Sequence, residues 1–196
     1  MIEVVVVDLG GVAARFRPER RLAALASLSG LAPEVIQQHL FDSGLEHRAE
    51  LGELAPEELL REVQSALDGG VSAEALVEAW ALAFEVDTEV LGCIDALDAR
   101  TALFTNNGPM LDACLVGPLG RLKQSFAAIV CSWHLKARKP DADAFERAAE
   151  RLGCTPGQLL LLDDSEANVR AAIRCGWQAE QVVDAAGVRA AIKQWP

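Results

Sequence analysis

Short apolar runs alternate with amphipathic stretches over most of this chain. Ile2–Val7, Ala102–Thr105, Ala127–Cys131, Leu159–Leu162 and Glu180–Val183 each read as a buried parallel strand. Between the last four lie helical patterns such as Asp143–Leu152 and Glu166–Cys175. They stop at Gly153 and Gly176, where a left-handed C-terminal cap is expected. Strands alternating with helices predict an α/β fold with a parallel sheet wrapped on both faces.

The interval between the first and second strands breaks this rhythm. From Pro18 to Thr88 the pattern is helical throughout, over Glu19–Leu28, Pro33–Phe41, Pro56–Leu67 and Ser72–Phe84. Pro33 and Pro56 occupy first-turn positions, and Gly30, Gly52 and Gly69–Gly70 interrupt the run. Residues 18–88 are therefore expected to form an inserted four-helix bundle, with 1–17 and 89–196 forming the α/β domain.

Composition narrows the function classes. The chain has 196 residues, 51% hydrophobic and 24% charged, which fits a globular protein with a sizeable core. The net charge of −11 disfavours nucleic acid and anionic membrane surfaces as partners. The early apolar run is far too short to span a bilayer and lacks a positive leader, so a cytoplasmic location is expected. Cys93, Cys114, Cys131, Cys154 and Cys175 are scattered without metal spacing, as expected of reduced thiols. A negatively charged substrate would then need local positive charge from a metal or from helix ends.

Ligands of open α/β sheets sit beyond the carboxyl ends of the strands. The first strand is followed there by Asp8, the second by Thr105 and Asn106 in "LFTNNG", and the fourth by Asp163–Asp164 in "LLLLDDSEANV". After the third comes "LKARKPDADAF", with Lys136, Arg138 and Lys139. Acids, a hydroxyl and a lysine converging on one crevice fit phosphoryl transfer with a hard cation. A carboxylate attacks phosphorus, Mg2+ on oxygen ligands neutralises the phosphate, and a hydroxyl with a backbone N–H holds the transferring group. These roles suit Asp8 as nucleophile, Asp8 with the Asp163–Asp164 pair as metal ligands, Thr105 and Asn106 as phosphoryl holders, and Lys139 as the added point charge. A lysine at a helix start opposes the helix dipole, which argues for a special role at position 139. Asp164 is expected to ligate directly; Asp163 ligates directly, ligates through water, or holds Lys139. Lys136 and Arg138 read as solvated or supporting residues, and Asn168 in the following helix as a structural or supporting one.

In this order, "DLGGV" with Asp8, Thr105, "RKPD" with Lys139 and "LLLDDSEANV" resemble the four motifs of the haloacid dehalogenase-like hydrolases. The resemblance covers nearly the whole chain, including the helical insert. It implies a Rossmann-like core with a helical cap and a magnesium-dependent phosphomonoesterase using Asp8. "DLGGV", "ELGE" (Glu50–Glu53) and "AWALAF" are most similar to small bacterial sugar-phosphate phosphatases of the glucose-1-phosphate type, so a small phosphorylated metabolite is the expected partner. Closing the cap would exclude water during the reaction.

One position departs from the pattern. Most phosphatases of this superfamily place a second aspartate two residues after the nucleophile as general acid; here Gly10 stands there. Glycine keeps the backbone carbonyl that serves a metal and removes a proton donor worth about 10²–10⁴-fold in rate. His47 is a candidate substitute, and Glu46, His47 and Arg48 are candidates for reading the substrate. The loss also opens alternatives: a degraded member that binds phospho-ligands, or a metal-independent 2-haloacid dehalogenase. The acidic pair Asp163–Asp164 argues against the dehalogenase, because without a cation it would repel a carboxylate substrate. A receiver domain has similar residues in a different order and no insert. His39 reads as a surface or packing residue, His134 as a loop residue, and Trp80, Phe84 and Trp177 as packing residues.

Overall fold

The computed structural model describes residues 1–195. The strands are β1 (Val4–Val7), β2 (Ala14–Phe16), β3 (Phe84–Val86), β4 (Arg100–Thr105), β5 (Ala128–Cys131), β6 (Leu159–Asp163) and β7 (Gln178–Gln181). β5, β4, β1, β6 and β7, in that order, form one parallel sheet. β1 is therefore central, and Val7 lies level with Leu103 on one side and Leu162 on the other. This is the α/β fold read from the alternating pattern. The β1–β4 and β1–β6 neighbours also create the strand-order reversal at which such sheets bind ligands.

Helices α1 (Pro18–Ser29), α2 (Pro33–Ile36), α3 (Leu45–Glu50), α4 (Pro56–Ala66) and α5 (Ala73–Ala81) follow the first crossing out of the sheet. Helices α6 (Thr88–Asp95), α7 (Met110–Val116), α8 (Gly120–Ser125) and α9 (Ser132–Leu135) surround the next strands. Helices α10 (Ala142–Leu152), α11 (Glu166–Arg174) and α12 (Ala185–Gln194) complete the chain. The helical starts follow their sequence signals: Ser165 caps α11 by accepting from Asn168 N–H, and Asp184 caps α12 by accepting from Gly187 N–H.

Strand periodicity divides the core in two. Val4 and Val6, with Ala102, Phe104, Leu159 and Leu161, pack against α10 and α11 residues such as Phe145 and Ala172. Val5 and Val7, with Leu103, Leu160 and Leu162, face the other way. That second cluster continues without a break into the helical layer, through Leu25, Ile36, Leu40, Leu76 and Trp80. Fully burying each such side chain contributes about 1.5–3 kcal/mol.

Four expectations change. The chain enters and leaves the helical layer through an antiparallel ribbon, β2 with β3, in which Phe16 and Phe84 stack at 5.6 Å. The helix expected over Ser72–Phe84 thus ends at Ala81, because Phe84 and Val86 pair with β2 and Asp87 N–H bonds the Ala13 carbonyl. The helix expected over Pro33–Phe41 becomes a wider π-turn at Gln37–Asp42. The extra residue lets the adjacent Leu40 and Phe41 both turn inward, Phe41 onto Trp80 at 6.0 Å. The segment between the helices expected over Pro33–Phe41 and Pro56–Leu67 forms a further helix, α3, so the insert expected as a four-helix bundle carries five α-helices among the described residues. Finally, the last strand sits two residues earlier than expected and is a half-exposed edge strand rather than a buried one. Among the described residues, no helix is long and apolar enough to cross a membrane.

Candidate active site

The carboxyl ends of β1, β4 and β6 place Asp8, Thr105 and Asp163 side by side, and the loop after α9 brings in Lys139. Lys139 is 2% exposed, and its Nζ donates to Asp8 Oδ1 at 2.8 Å, Asp163 Oδ2 at 2.6 Å and the Phe104 carbonyl at 2.8 Å. Burial opposes the lysine charge, but the two carboxylates outweigh it and raise the pKa above the ordinary lysine value. The same burial pushes Asp8 up to about 6, against the pull of Lys139 and with a further push from Asp163. Asp164 is raised too, by burial and then by Asp163. One ligand oxygen from each of Asp8, Asp163 and Asp164 falls within 4.8 Å of the others.

The neighbours of this cluster divide the labour. Both Asp163 oxygens are occupied: Oδ1 accepts from Ser165 N–H at 2.9 Å, and Asn168 Nδ2 reaches Oδ1 and Oδ2 at 3.0 and 3.1 Å. Asp163 therefore anchors the lysine and the start of α11, with Asn168 in support. Asp164 instead lies against Gly11, whose φ of +95° excludes other residues on strain; a Cβ there would sit 2.1 Å from Asp164 Oδ2. In the same turn the Asp8 and Leu9 carbonyls accept from Ala13 and Ala14 N–H, while the Gly10 carbonyl accepts no hydrogen bond among the described residues. Carboxylates of Asp8 and Asp164 beside a spare carbonyl make an all-oxygen donor set.

Thr105 is buried, and its Oγ1 accepts from Asn107 Nδ2 at 2.8 Å. The Asn106 side chain grips the Lys139 backbone twice, donating to its carbonyl at 2.8 Å and accepting from its N–H at 2.9 Å. Asn107 N–H in turn donates to Ser132 Oγ at 3.1 Å. Two successive asparagines thus lock the lysine loop and the threonine hydroxyl.

These residues floor a pocket of about 540 Å³ whose other wall is helical. From α1 comes Arg21 and from α3 come Glu46 and Glu50, with Arg138 from the lysine loop and Phe16 and Phe84 from the ribbon. Arg21 Nη1 donates to Glu46 at 2.8 Å, and Arg138 Nη2 forms an ion pair with Glu50 at 3.1 Å. Arg21 is 1% exposed and lies 4.3 Å from the Trp80 ring centre, yet its Nε and Nη2 have no partner. Burial lowers its pKa, against the pull of Glu46. A larger open groove of about 1030 Å³ lies outside the helical layer around His39, Arg48 and Asp68, but it holds none of the acid–lysine cluster.

The structure gathers Asp8, Gly10, Thr105, Asn106, Lys139 and Asp164 around one pocket, with Asp163 buried directly behind. It does not gather the candidates from the helical layer equally. His47 is exposed and accepts from Arg138 Nη1 at 2.7 Å, outside the pocket lining. Arg48 pairs with Glu53 and Glu62, leaving Glu46 as the pocket-lining member of that trio. Arg138, read as solvated or supporting, lines the pocket, as does Phe84. His134 pairs with Asp112 at 3.0 Å, and Lys136 is exposed. Arg21 carried no sequence signal, because four aromatics scattered from Phe16 to Phe84 build its surroundings. Glu50 and Asn107 lay inside quoted motifs without an assigned role.

A family model for haloacid dehalogenase-like hydrolases matches residues 2–176, and the chain belongs to that family; it is a hydrolase. The structure is similar to a predicted haloacid dehalogenase-like hydrolase from Porphyromonas gingivalis, with TM-score 0.77 and 27% identity over 99% of this chain and 97% of that one. It shares its fold with a family enzyme from Bacteroides thetaiotaomicron in complex with magnesium and inorganic phosphate. That match has TM-score 0.77 and 20% identity over 92% of this chain and 94% of that one. Fructose-1-phosphate phosphatase YqaB of Escherichia coli (strain K12) is 32% identical over 81 residues. That match spans 41% of this chain and 43% of the relative, less than half of each.

Proposed function

We propose that the protein is a magnesium-dependent phosphomonoester hydrolase for a small phosphorylated metabolite, a sugar phosphate, working through an aspartyl-phosphate on Asp8. The observation that carries this reading is the buried Lys139 ammonium clamped between Asp8 and Asp163, with Asp164 beside them. Three carboxylates against one ammonium leave a surplus of two negative charges, which suits a divalent cation; oxygen-only donors suit a hard one. Asp8, Asp164 and the Gly10 carbonyl hold magnesium, and Asp163 acts behind them by fixing Lys139. When bound, the ion neutralises phosphate oxygens and offsets the mutual repulsion of the acids.

Lys139 leaves Asp8 aligned for attack on phosphorus, and the Thr105 hydroxyl with the Asn106 N–H holds the transferring group. Residues 18–88 serve as a cap on a core of 1–17 and 89–196, and close the reaction from water through the β2–β3 ribbon. The cap wall pairs two guanidinium groups with two carboxylates, Arg21 with Glu46 and Arg138 with Glu50. A wall of balanced charge suits a neutral, hydroxyl-rich leaving group better than an anionic one. The magnesium and phosphate of the Bacteroides enzyme and the activity in the Escherichia coli relative's name support the same reading. Five free cysteines fit a reducing cytoplasm.

The test is turnover of a panel of sugar phosphates and an activated aryl phosphate, with magnesium and then with EDTA. Magnesium-dependent phosphate release, abolished in Asp8→Asn, supports the reading. Retained phosphate binding without turnover on any substrate favours a phospho-ligand binding protein, the reading for which Gly10 speaks. Halide release from a 2-haloacid without metal contradicts both.

A further inference from the structure

Gly10 leaves the family's usual acid position without a side chain, and a neutral sugar alcohol leaves poorly as an alkoxide. The pocket that holds Asp8 contains another carboxyl of the right character. Glu50 ends α3 on the helical wall, its side chain 15% exposed, with Arg138 Nη2 as its partner at 3.1 Å. It is carried by a helix fixed by buried Leu45 and Ala49, and Gly108 approaches Ala49 closely across the cap–core boundary. Glu50 thus borders the same cavity as the nucleophile but sits on the wall assigned to the leaving group. We propose that Glu50 is the proton donor that replaces the missing acid: as Asp8 bonds to phosphorus and the P–O bond to the sugar breaks, Glu50 gives its proton to the departing oxygen.

The balance closes. The first step leaves Asp8 phosphorylated, the alcohol neutral and Glu50 ionised; in the second, water adds its oxygen to phosphorus and its proton to Glu50, and Asp8 departs as carboxylate. The local chemistry supports this assignment. Burial pushes the Glu50 carboxyl up to about 7, with Arg138 pulling it down and Glu46 pushing it further up, so protonated and ionised forms are both accessible near neutrality. The charged groups facing it are Arg138, Glu46 and Arg21. His47 meets Arg138 from outside, while His134 turns to Asp112 and His39 to the Ala66 carbonyl. At Gly10, by contrast, a Cβ would meet only Phe16 Cβ at 3.8 Å, so the acid position is vacant without being blocked.

The inference rests on the phosphatase reading, and its test separates the two. The kcat/KM of wild type and Glu50→Gln is measured on a sugar phosphate and on an activated aryl phosphate, whose phenolate departs without a proton. This parameter reports the steps up to loss of the alcohol. The expected result is a loss on the sugar phosphate exceeding that on the aryl phosphate by about 10²-fold or more. The alkaline limb of the sugar-phosphate pH profile disappears with it, and Gly10→Asp added to Glu50→Gln restores sugar-phosphate turnover. Equal losses on both substrates, or no loss on either, overturn the role of Glu50 while leaving the phosphatase standing. A wild type inert towards both the sugar phosphate and the aryl phosphate overturns the phosphatase reading and this inference with it.

Discussion

Replacing Arg21 by methionine separates the stability of this fold from its use. Arg21 is 1% exposed, and its guanidinium has one ion pair, to Glu46 at 2.8 Å. Phe16, Phe41 and Phe84 each lie 5.7 Å from it and Trp80 4.3 Å. Against these contacts stand two buried donors, Nε and Nη2, without partners. Each costs about 1–3 kcal/mol, whereas the cation–π contact contributes about 2 kcal/mol and the charged hydrogen bond about 1.5–3 kcal/mol. The terms nearly cancel, as for other buried ion pairs replaced by apolar residues of similar volume. Arg21→Met is therefore expected to leave the free protein between unchanged and about 2 kcal/mol more stable in urea unfolding at pH 7.5. Glu46 tolerates the loss because 29% of its side chain reaches solvent. If the spare donors instead bind substrate hydroxyls, KM for the sugar phosphate rises about 10- to 150-fold with kcat little changed, the equivalent of about 1.5–3 kcal/mol of binding. A loss of stability above about 3 kcal/mol with an unchanged KM would refute the reasoning and make Arg21 a structural residue.

Three further outcomes are expected. Because folding raises the Glu50 pKa from 4.5 to about 7, the folded state holds the proton more tightly and stability falls as pH rises through that window. Glu50→Gln is thus about 3 kcal/mol more stable than wild type at pH 8, with the gap closing towards pH 4.5; equal urea midpoints at pH 8 contradict this. Saturating magnesium, at about 100 times its dissociation constant, adds about 2.7 kcal/mol, or roughly 5–10 °C in Tm for a chain of this size. Asp164→Asn removes most of that shift, read by thermal denaturation with and without EDTA. Gly11→Ala forces strain and a clash with Asp164, so it costs about 1–3 kcal/mol in urea unfolding and weakens the magnesium shift in parallel.

The parts legible in the sequence were those fixed by short-range pattern. A strand ending in Asp8, a strand ending in Thr105 and a strand ending in Asp163–Asp164 need only local periodicity, and parallel pairing then brings the three ends together. Lys139 was legible because a lysine read at a helix start needs compensating anions; the structure places it in the loop before α10, whose cap is Asp141, and supplies those anions as Asp8 and Asp163. The helical wall was not legible, because it is assembled over long separations. Arg21 is surrounded by Phe16, Phe41, Trp80 and Phe84, and none of these is unusual in its own segment. The β2–β3 ribbon joins residues about seventy positions apart, so Phe84 read as the end of a helix. His47 was plausible by residue type, but on α3 it points to the outside of Arg138 while Glu46 and Glu50 turn towards the pocket.

The proposed hydrolysis depends on Asp8 as the group that takes the phosphoryl from substrate. Acid quenching of wild-type protein during turnover with magnesium and a sugar phosphate, followed by peptide mass spectrometry, tests it directly. A single phosphoryl group on the peptide holding Asp8, absent from Asp8→Asn, is the predicted result. Phosphate release without an adduct on that peptide, or turnover that survives Asp8→Asn, would contradict it.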